Sequence, residues 1–136
     1  MFARLAAASV ACLALAACAQ APSRPSATAL RAGRWTGGNG VCLSVGSDTC
    51  DLVIGCGHGA FPPPAINADG TFQVNGTYRV EVGPISINPA PPAVFSGLVS
   101  GETLTITVNP SDPSLKPASY MLQWTADSGR CAVPCV

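Results

Sequence analysis

The stretch GETLTITV, Gly101 to Val108, decides the fold class. Leu104, Ile106 and Val108 fall on every second residue, with Thr103, Thr105 and Thr107 between them. A period of two describes a strand with one apolar and one wet face, whereas a helix repeats every 3.6 residues. Threonine is β-branched and suits a pleated sheet. Ser100-Gly101-Glu102, just before the run, is turn sequence.

The same period recurs on both sides. Val41, Leu43 and Val45 alternate with Cys42, Ser44 and Gly46; Leu52, Ile54 and Cys56 alternate with Asp51, Val53 and Gly55. Tyr78, Val80 and Val82 alternate with Thr77, Arg79 and Glu81, and Tyr120, Leu122 and Trp124 with Met121 and Gln123. Each set has one inward and one wet face, as in antiparallel sheets. Turn residues separate them at Gly46 to Thr49 and at Asp69-Gly70. Asn75-Gly76 reads either as a two-residue hairpin or as a kink inside one long strand. Pro62 to Pro64 and the segment Pro89 to Pro92 are excluded from central strands and belong to edges or loops.

Seven or eight short strands at this spacing predict an all-β domain: a small antiparallel up-and-down barrel of lipocalin-like form, with a β-sandwich as the alternative. Consecutive hairpins favour the barrel, which also leaves no open edge. A barrel of about eight strands has room for its own side chains or for one small ligand. Phe72, Tyr78 and Trp124 are the candidate lining of such a cavity, and Trp35 is the candidate plug of one barrel end.

Composition limits the rest. Residues 34–136 are the expected β-domain, carrying four basic against seven acidic side chains, a net of −3. That balance is wrong for a nucleic-acid surface. Proline and glycine are abundant and good helix formers scarce, so helix is not expected there.

The N-terminus has a different character. Arg4 is its one charge before an uncharged run from Leu5 to Ala17, 13 residues long. A membrane span needs about 20. The run therefore reads as an export signal over residues 1–17. Leu15-Ala16-Ala17-Cys18 resembles the lipobox of bacterial lipoproteins. The resemblance implies a diacylglycerol thioether on Cys18, cleavage just before it, and membrane partnership through the lipid anchor. Ala19 in place of aspartate then implies the outer membrane. The alternative is ordinary cleavage after Ala19, since Ala17-Cys18-Ala19 also fits an A-x-A site. Residues 18–33, with two prolines and two serines and no large apolar run, read as a flexible tether.

A second resemblance covers Leu52 to Val108. The segments CGHG, DGTFQVNGTYRVEVGP and FSGLVSGETLTITV are similar to a group of small exported bacterial β-domains with no assigned activity. The matching positions include Cys56, His58, Gly59, Asp69, Gly70, Phe72, Gly76, Tyr78, Glu81, Gly97, Gly101 and Leu104; Phe95 replaces a tyrosine. This likeness supports the fold and implies no reaction.

Beyond Cys18, the domain holds Cys42, Cys50, Cys56, Cys131 and Cys135. In an exported chain these form a disulfide framework with one thiol left over. If Gly46 to Thr49 is a four-residue loop, Leu43 faces Leu52, Cys42 points outward, and Cys50 and Cys56 point inward. A Cys42–Cys50 bridge then needs a different loop or a bulge. A Cys131–Cys135 bridge is opposed by Pro134, which keeps Val133 extended. Cys56 bridged to the tail, through Cys131 or Cys135, is the favoured pairing. The leftover thiol is expected to be buried and inert, the alternative being a bond to a partner chain.

Catalytic signals are weak. His58 is the one histidine, and Cys56-Gly57-His58 resembles half a metal site without the two further ligands zinc requires. Gly97 to Gly101 misplaces its serine, Ser100, for a nucleophile elbow. Glu81 and Glu102 fit a strand face and a turn better than a carboxylate pair. No phosphate loop or dinucleotide fingerprint occurs, so no cofactor and no metal is expected. The expected function is a non-catalytic interaction protein of the cell envelope, such as an inhibitor of a hydrolase, with the Gly83 to Ala93 loop as candidate contact. The alternative is a carrier of a small apolar ligand. An enzyme is the third reading, and it predicts that His58 approaches a serine or carboxylate in a cleft.

Overall fold

A computed structural model describes residues 28–81, 89–127, 129–132 and 135. Its strands are β1 (Thr28–Ala29), β2 (Gly33–Gly37), β3 (Cys42–Val45), β4 (Cys50–Ile54), β5 (Gly57–Phe61), β6 (Ala65–Ile66), β7 (Thr71–Val80), β8 (Pro92–Ser100), β9 (Thr103–Pro110) and β10 (Ala118–Thr125). β2 to β5 and β7 to β10 pair antiparallel in chain order, and β10 returns to pair with β2. The protein is an eight-stranded up-and-down barrel. Closure through Trp124 opposite Trp35 rules out the sandwich. β1 and β6 form a separate two-stranded ribbon at the rim where β2 begins, here called the lower rim.

The period-two pattern explains the core. Leu43, Leu52, Phe95, Leu104, Ile106 and Leu122 are fully enclosed, and their strand neighbours face out. Phe61 and Phe95 stack with ring centroids 4.4 Å apart. Small residues opposite these rings make the fit possible. A Cβ on Gly97 would lie 2.5 Å from the Phe72 ring, and one on Gly76 would strike the Ala60 carbonyl and come 2.8 Å from Phe61 Cβ. Gly76 is therefore a point of close approach inside one long strand, and the hairpin option at Asn75-Gly76 is excluded. The reversals at Gly55, Gly70 and Gly101 use positive φ, between 57° and 86°.

Several expectations need correction. Composition extends the tether to Gly33, but Thr28 onward belongs to the folded unit. Thr28 and Ala29 pair with Ile66 and Ala65, and Leu30 is buried. Leu30 is the one large aliphatic residue in that stretch, and an open barrel rim gives it a place to bury. Cys56 is not an inward strand residue, because the positive-φ Gly55 ends the alternation and puts Cys56 in the β4–β5 turn. Val53, assigned to the wet face, is 1% exposed. Pro92 begins β8, at an end where the missing N–H is tolerated. Trp35 is a wall residue of β2 rather than an end plug. Val82 lies outside the described residues.

Candidate functional site

The C-terminal tail explains why Val53 is buried on the outside of the barrel. Cys131 is bonded to Cys42, 89 positions earlier, and Cys135 to Cys56, 79 positions earlier. Arg34 on β2 is ion-paired with Asp127 at the start of the tail. The tail thus runs up the outer wall of β2, β3 and β4, from the lower rim to the upper, fastened at three points. Cys42 points outward, as its neighbours Val41 and Leu43 point in, which suits it to hold a segment lying outside the wall. The favoured Cys56 pairing to the tail is present through Cys135. The Cys42 bridge has no signal in the sequence, because the adjacent-strand register gives no sign of a distant tail.

Between tail and wall is a cleft of about 200 Å³, lined by Ser44, Asp51, Val53, His58, Arg130 and Cys131. Strand register assembles it. Ser44 lies directly opposite Asp51 across β3–β4, and Val53 opposite His58 across β4–β5. His58 and Asp51 are therefore diagonal neighbours on one face, and their Nε2 and Oδ1 atoms are 3.6 Å apart. On the far side His58 faces Arg79, whose Nε donates to Glu81 Oε1 at 3.0 Å.

This cleft brings a histidine, a carboxylate and a serine together, as the enzymatic reading predicts. Their order is wrong for nucleophilic catalysis. A relay needs the imidazole between the hydroxyl and the carboxylate. Here Asp51 on β4 lies between Ser44 on β3 and His58 on β5. Two strand spacings, roughly 9.6 Å, separate the strands that carry Ser44 and His58. The imidazole nitrogen nearest the carboxylate is Nε2, and no hydroxyl hydrogen-bonds His58 among the described residues. The arrangement is a polar cleft in which Asp51 is flanked by Ser44 and His58.

The other candidates are dispersed. Glu81 closes the upper end of β7, whereas Glu102 sits in the β8–β9 turn at the lower rim beside Arg31, 3.4 Å away. They are at opposite ends of the barrel. Ser100 ends β8 near Glu102, far from His58. The Cys56 sulfur is in a disulfide and offers no thiolate to a metal beside His58.

Of the candidate cavity residues, Phe72 and Tyr78 are buried in the interior, and burial raises the Tyr78 phenol above its ordinary pKa, with Tyr120 adding to the rise. Trp124 is only partly buried, at the lower rim; Arg31 covers its ring at 3.3 Å and its Nε1 donates to the Ala32 carbonyl. A cleft of about 280 Å³ at the upper rim is lined by Tyr78, Arg79, Val80, Pro91, Asp112, Ser114 and Leu115, and includes neither Phe72 nor Trp124. Asp112 is held below the usual carboxylate range by hydrogen bonds from the Ser114 hydroxyl and amide.

Cys50 is the free cysteine among the described residues. It is fully buried, and desolvation, helped by the charge of Asp51, pushes its thiol pKa up to about 12. A thiol so placed is not a nucleophile. The proposed lipid site Cys18 and most of the Gly83 to Ala93 loop lie outside the described residues. No protein-family model, no curated protein and no solved structure matches this chain.

Proposed function

We propose that this chain is a lipid-anchored protein of the cell envelope, held on the periplasmic face of the outer membrane through Cys18, and that its barrel binds a protein partner without catalysing a reaction. The pair of disulfides fastening the tail carries this reading. Bridges of this kind belong to oxidising compartments, and Leu15-Ala16-Ala17-Cys18 supplies a matching export and acylation signal. More than one acyl chain on Cys18 would give stable anchoring, which a single chain does not.

Thr28 joins the folded unit at the lower rim, so a chain anchored ten residues earlier, at Cys18, enters from that side, and the upper rim is the end farther along the chain from the anchor. That upper rim carries the cleft at Tyr78, Pro91 and Leu115, and Pro91 belongs to the described end of the candidate contact loop Gly83 to Ala93. The tail cleft at Asp51 and His58 reaches the same end. A carrier role is the second reading, supported by the apolar part of that upper cleft.

Metabolic labelling with a radioactive fatty acid tests the anchor. The full chain takes up label and partitions into detergent, and Cys18→Ser abolishes both. Label retained by Cys18→Ser, or absent from the wild type, overturns the anchor. A photo-crosslinker at Ser114 in the labelled protein then reads the partner. A discrete adduct with an envelope hydrolase supports the inhibitor form, and an adduct with lipid alone supports the carrier.

A further inference from the structure

The polar side chains of the tail cleft are unengaged. Ser44, Asp51, His58 and Arg130 all line it, and none of the four makes a side-chain hydrogen bond among the described residues. The 3.6 Å from His58 Nε2 to Asp51 Oδ1 is longer than a hydrogen bond. Elsewhere such groups are occupied. The carboxylates of Asp69, Asp112 and Asp127 each accept hydrogen bonds. Arg31, Arg34 and Arg79 each meet an acidic side chain. Arg130 is the one arginine among the described residues without such a partner.

Two of the four carry opposite full charges and are held apart. Asp51 and Arg130 share the cleft but form no ion pair. Different parts of the fold fix them. Asp51 is on β4, bonded to β3 on one side and β5 on the other. Arg130 is on the tail, and the next residue, Cys131, is bonded to Cys42. Cys42 and Ser44 share the outer face of β3 and lie opposite Val53 and Asp51, so the bridge fastens the tail one outward-facing row above Asp51. The two charges are thus placed independently, by a strand and by a disulfide.

Charge and size then select the occupant. A small anion would set its charge beside Asp51, and a small cation beside Arg130. A zwitterion meets an opposite charge at both ends, and charge-assisted hydrogen bonds are the stronger kind. About 200 Å³ is the liquid volume of roughly seven waters, so the cleft admits about that number of heavy atoms. Alanine, serine and valine are of this size. A peptide is not, since each added residue separates its terminal charges by up to about 3.3 Å more.

We propose that the tail cleft binds a small free α-amino acid, with its ammonium group on Asp51 and the Ser44 hydroxyl and its carboxylate on Arg130. His58 forms the wall beyond Asp51, and Val53 with the Cys131 end of the bridge supplies the apolar part. The contacts are few and partly exposed, so binding is in the millimolar range or somewhat tighter.

Titration of the isotope-labelled full chain in detergent with L-alanine, read by amide chemical shifts, tests this. Saturable shifts are expected at Asp51, His58 and Cys131. Asp51→Asn and Arg130→Gln are each expected to weaken binding about ten-fold, the loss of one charge-assisted contact. Both side chains reach solvent, so the spectrum away from the cleft is expected to stay native. Acetate offers the carboxylate alone and methylamine the ammonium alone, and each is expected to bind at least ten-fold more weakly than L-alanine. Absence of saturable shifts at L-alanine well above the millimolar range overturns the proposal. So does binding that both charge variants leave intact, or acetate or methylamine binding as tightly as L-alanine. None of these results depends on acylation of Cys18 or on the partner read at Ser114.

Discussion

Trp35 and Trp124 lie directly opposite each other across the seam that closes the barrel, and each indole N–H donates to a carbonyl of the segment just before β2. Trp35 bonds to Arg31 and Trp124 to Ala32, both at 3.1 Å. The seam and the N-terminal segment are thus one structural unit, but the two rings contribute differently. Trp35 is fully buried, and Trp35→Ala is expected to cost about 3–5 kcal/mol. Trp124→Leu gives up a partly exposed ring, one hydrogen bond and the Arg31 stack, and is expected to cost about 1–3 kcal/mol. Urea unfolding of the two variants measures both; equal losses would contradict this gradation.

The tail acts through two bridges that close long loops. Removing the Cys42–Cys131 bridge by replacing both cysteines with serine is expected to cost about 4.5 kcal/mol by the loop-entropy argument. Val53 then loses its cover. In the intact protein Val53→Ala is expected to cost about 1–2 kcal/mol, and in the bridge-free variant clearly less. The four stabilities form a double-mutant cycle, and strict additivity would show that the tail does not cover Val53.

Cys50 makes stability depend on alkaline pH. Its folded pKa is raised from 9.0 to about 12, so the folded state holds the proton after the unfolded chain has released it. The stabilisation is complete below pH 9 and is lost progressively as pH rises from 9 through 12. Between pH 9 and 11 the wild type is expected to lose more stability than Cys50→Ala. Iodoacetamide followed by peptide mapping gives a second reading: Cys50 is expected to stay unmodified at pH 8 and to react fully in urea.

Gly76 tests how tightly the wall approaches the interior rings. Gly76→Ala places a methyl group against the Ala60 carbonyl and the Phe95 ring and is expected to cost about 1–3 kcal/mol. Gly101→Ala, at an open turn with no neighbour near the new carbon, costs only the strain of its positive φ. Thermal melts that rank Gly101→Ala as the more damaging would refute the packing argument.

The barrel was legible because its strands obey one rule. Leu104, Ile106 and Val108 alternate so regularly with threonine that a register slip of one residue would turn the core to water. The features that escaped depend on contacts between distant segments. Val53 looks like a wet-face residue until a tail nearly eighty positions later lies on it. Leu30, in a stretch with the composition of a linker, is buried only because β1 finds β6. Asp51 and Ser44 were visible as polar strand residues, whereas the glycines on both sides of His58 read as a turn and hid the strand β5 that carries it. Their order across three strands, which decides what they can do, follows from pairing that no local pattern encodes.

The short β1–β6 ribbon has a mechanical consequence. A pull on the chain from the N-terminal side meets two paired residues, Leu30 and the Arg31 stack before any load reaches the eight-stranded ladder. Those contacts yield in succession, as a zipper does, while the barrel strands are shielded behind them. Under the anchoring proposed at Cys18, this end of the barrel acts as a fuse: traction there would free a few residues and leave the barrel whole.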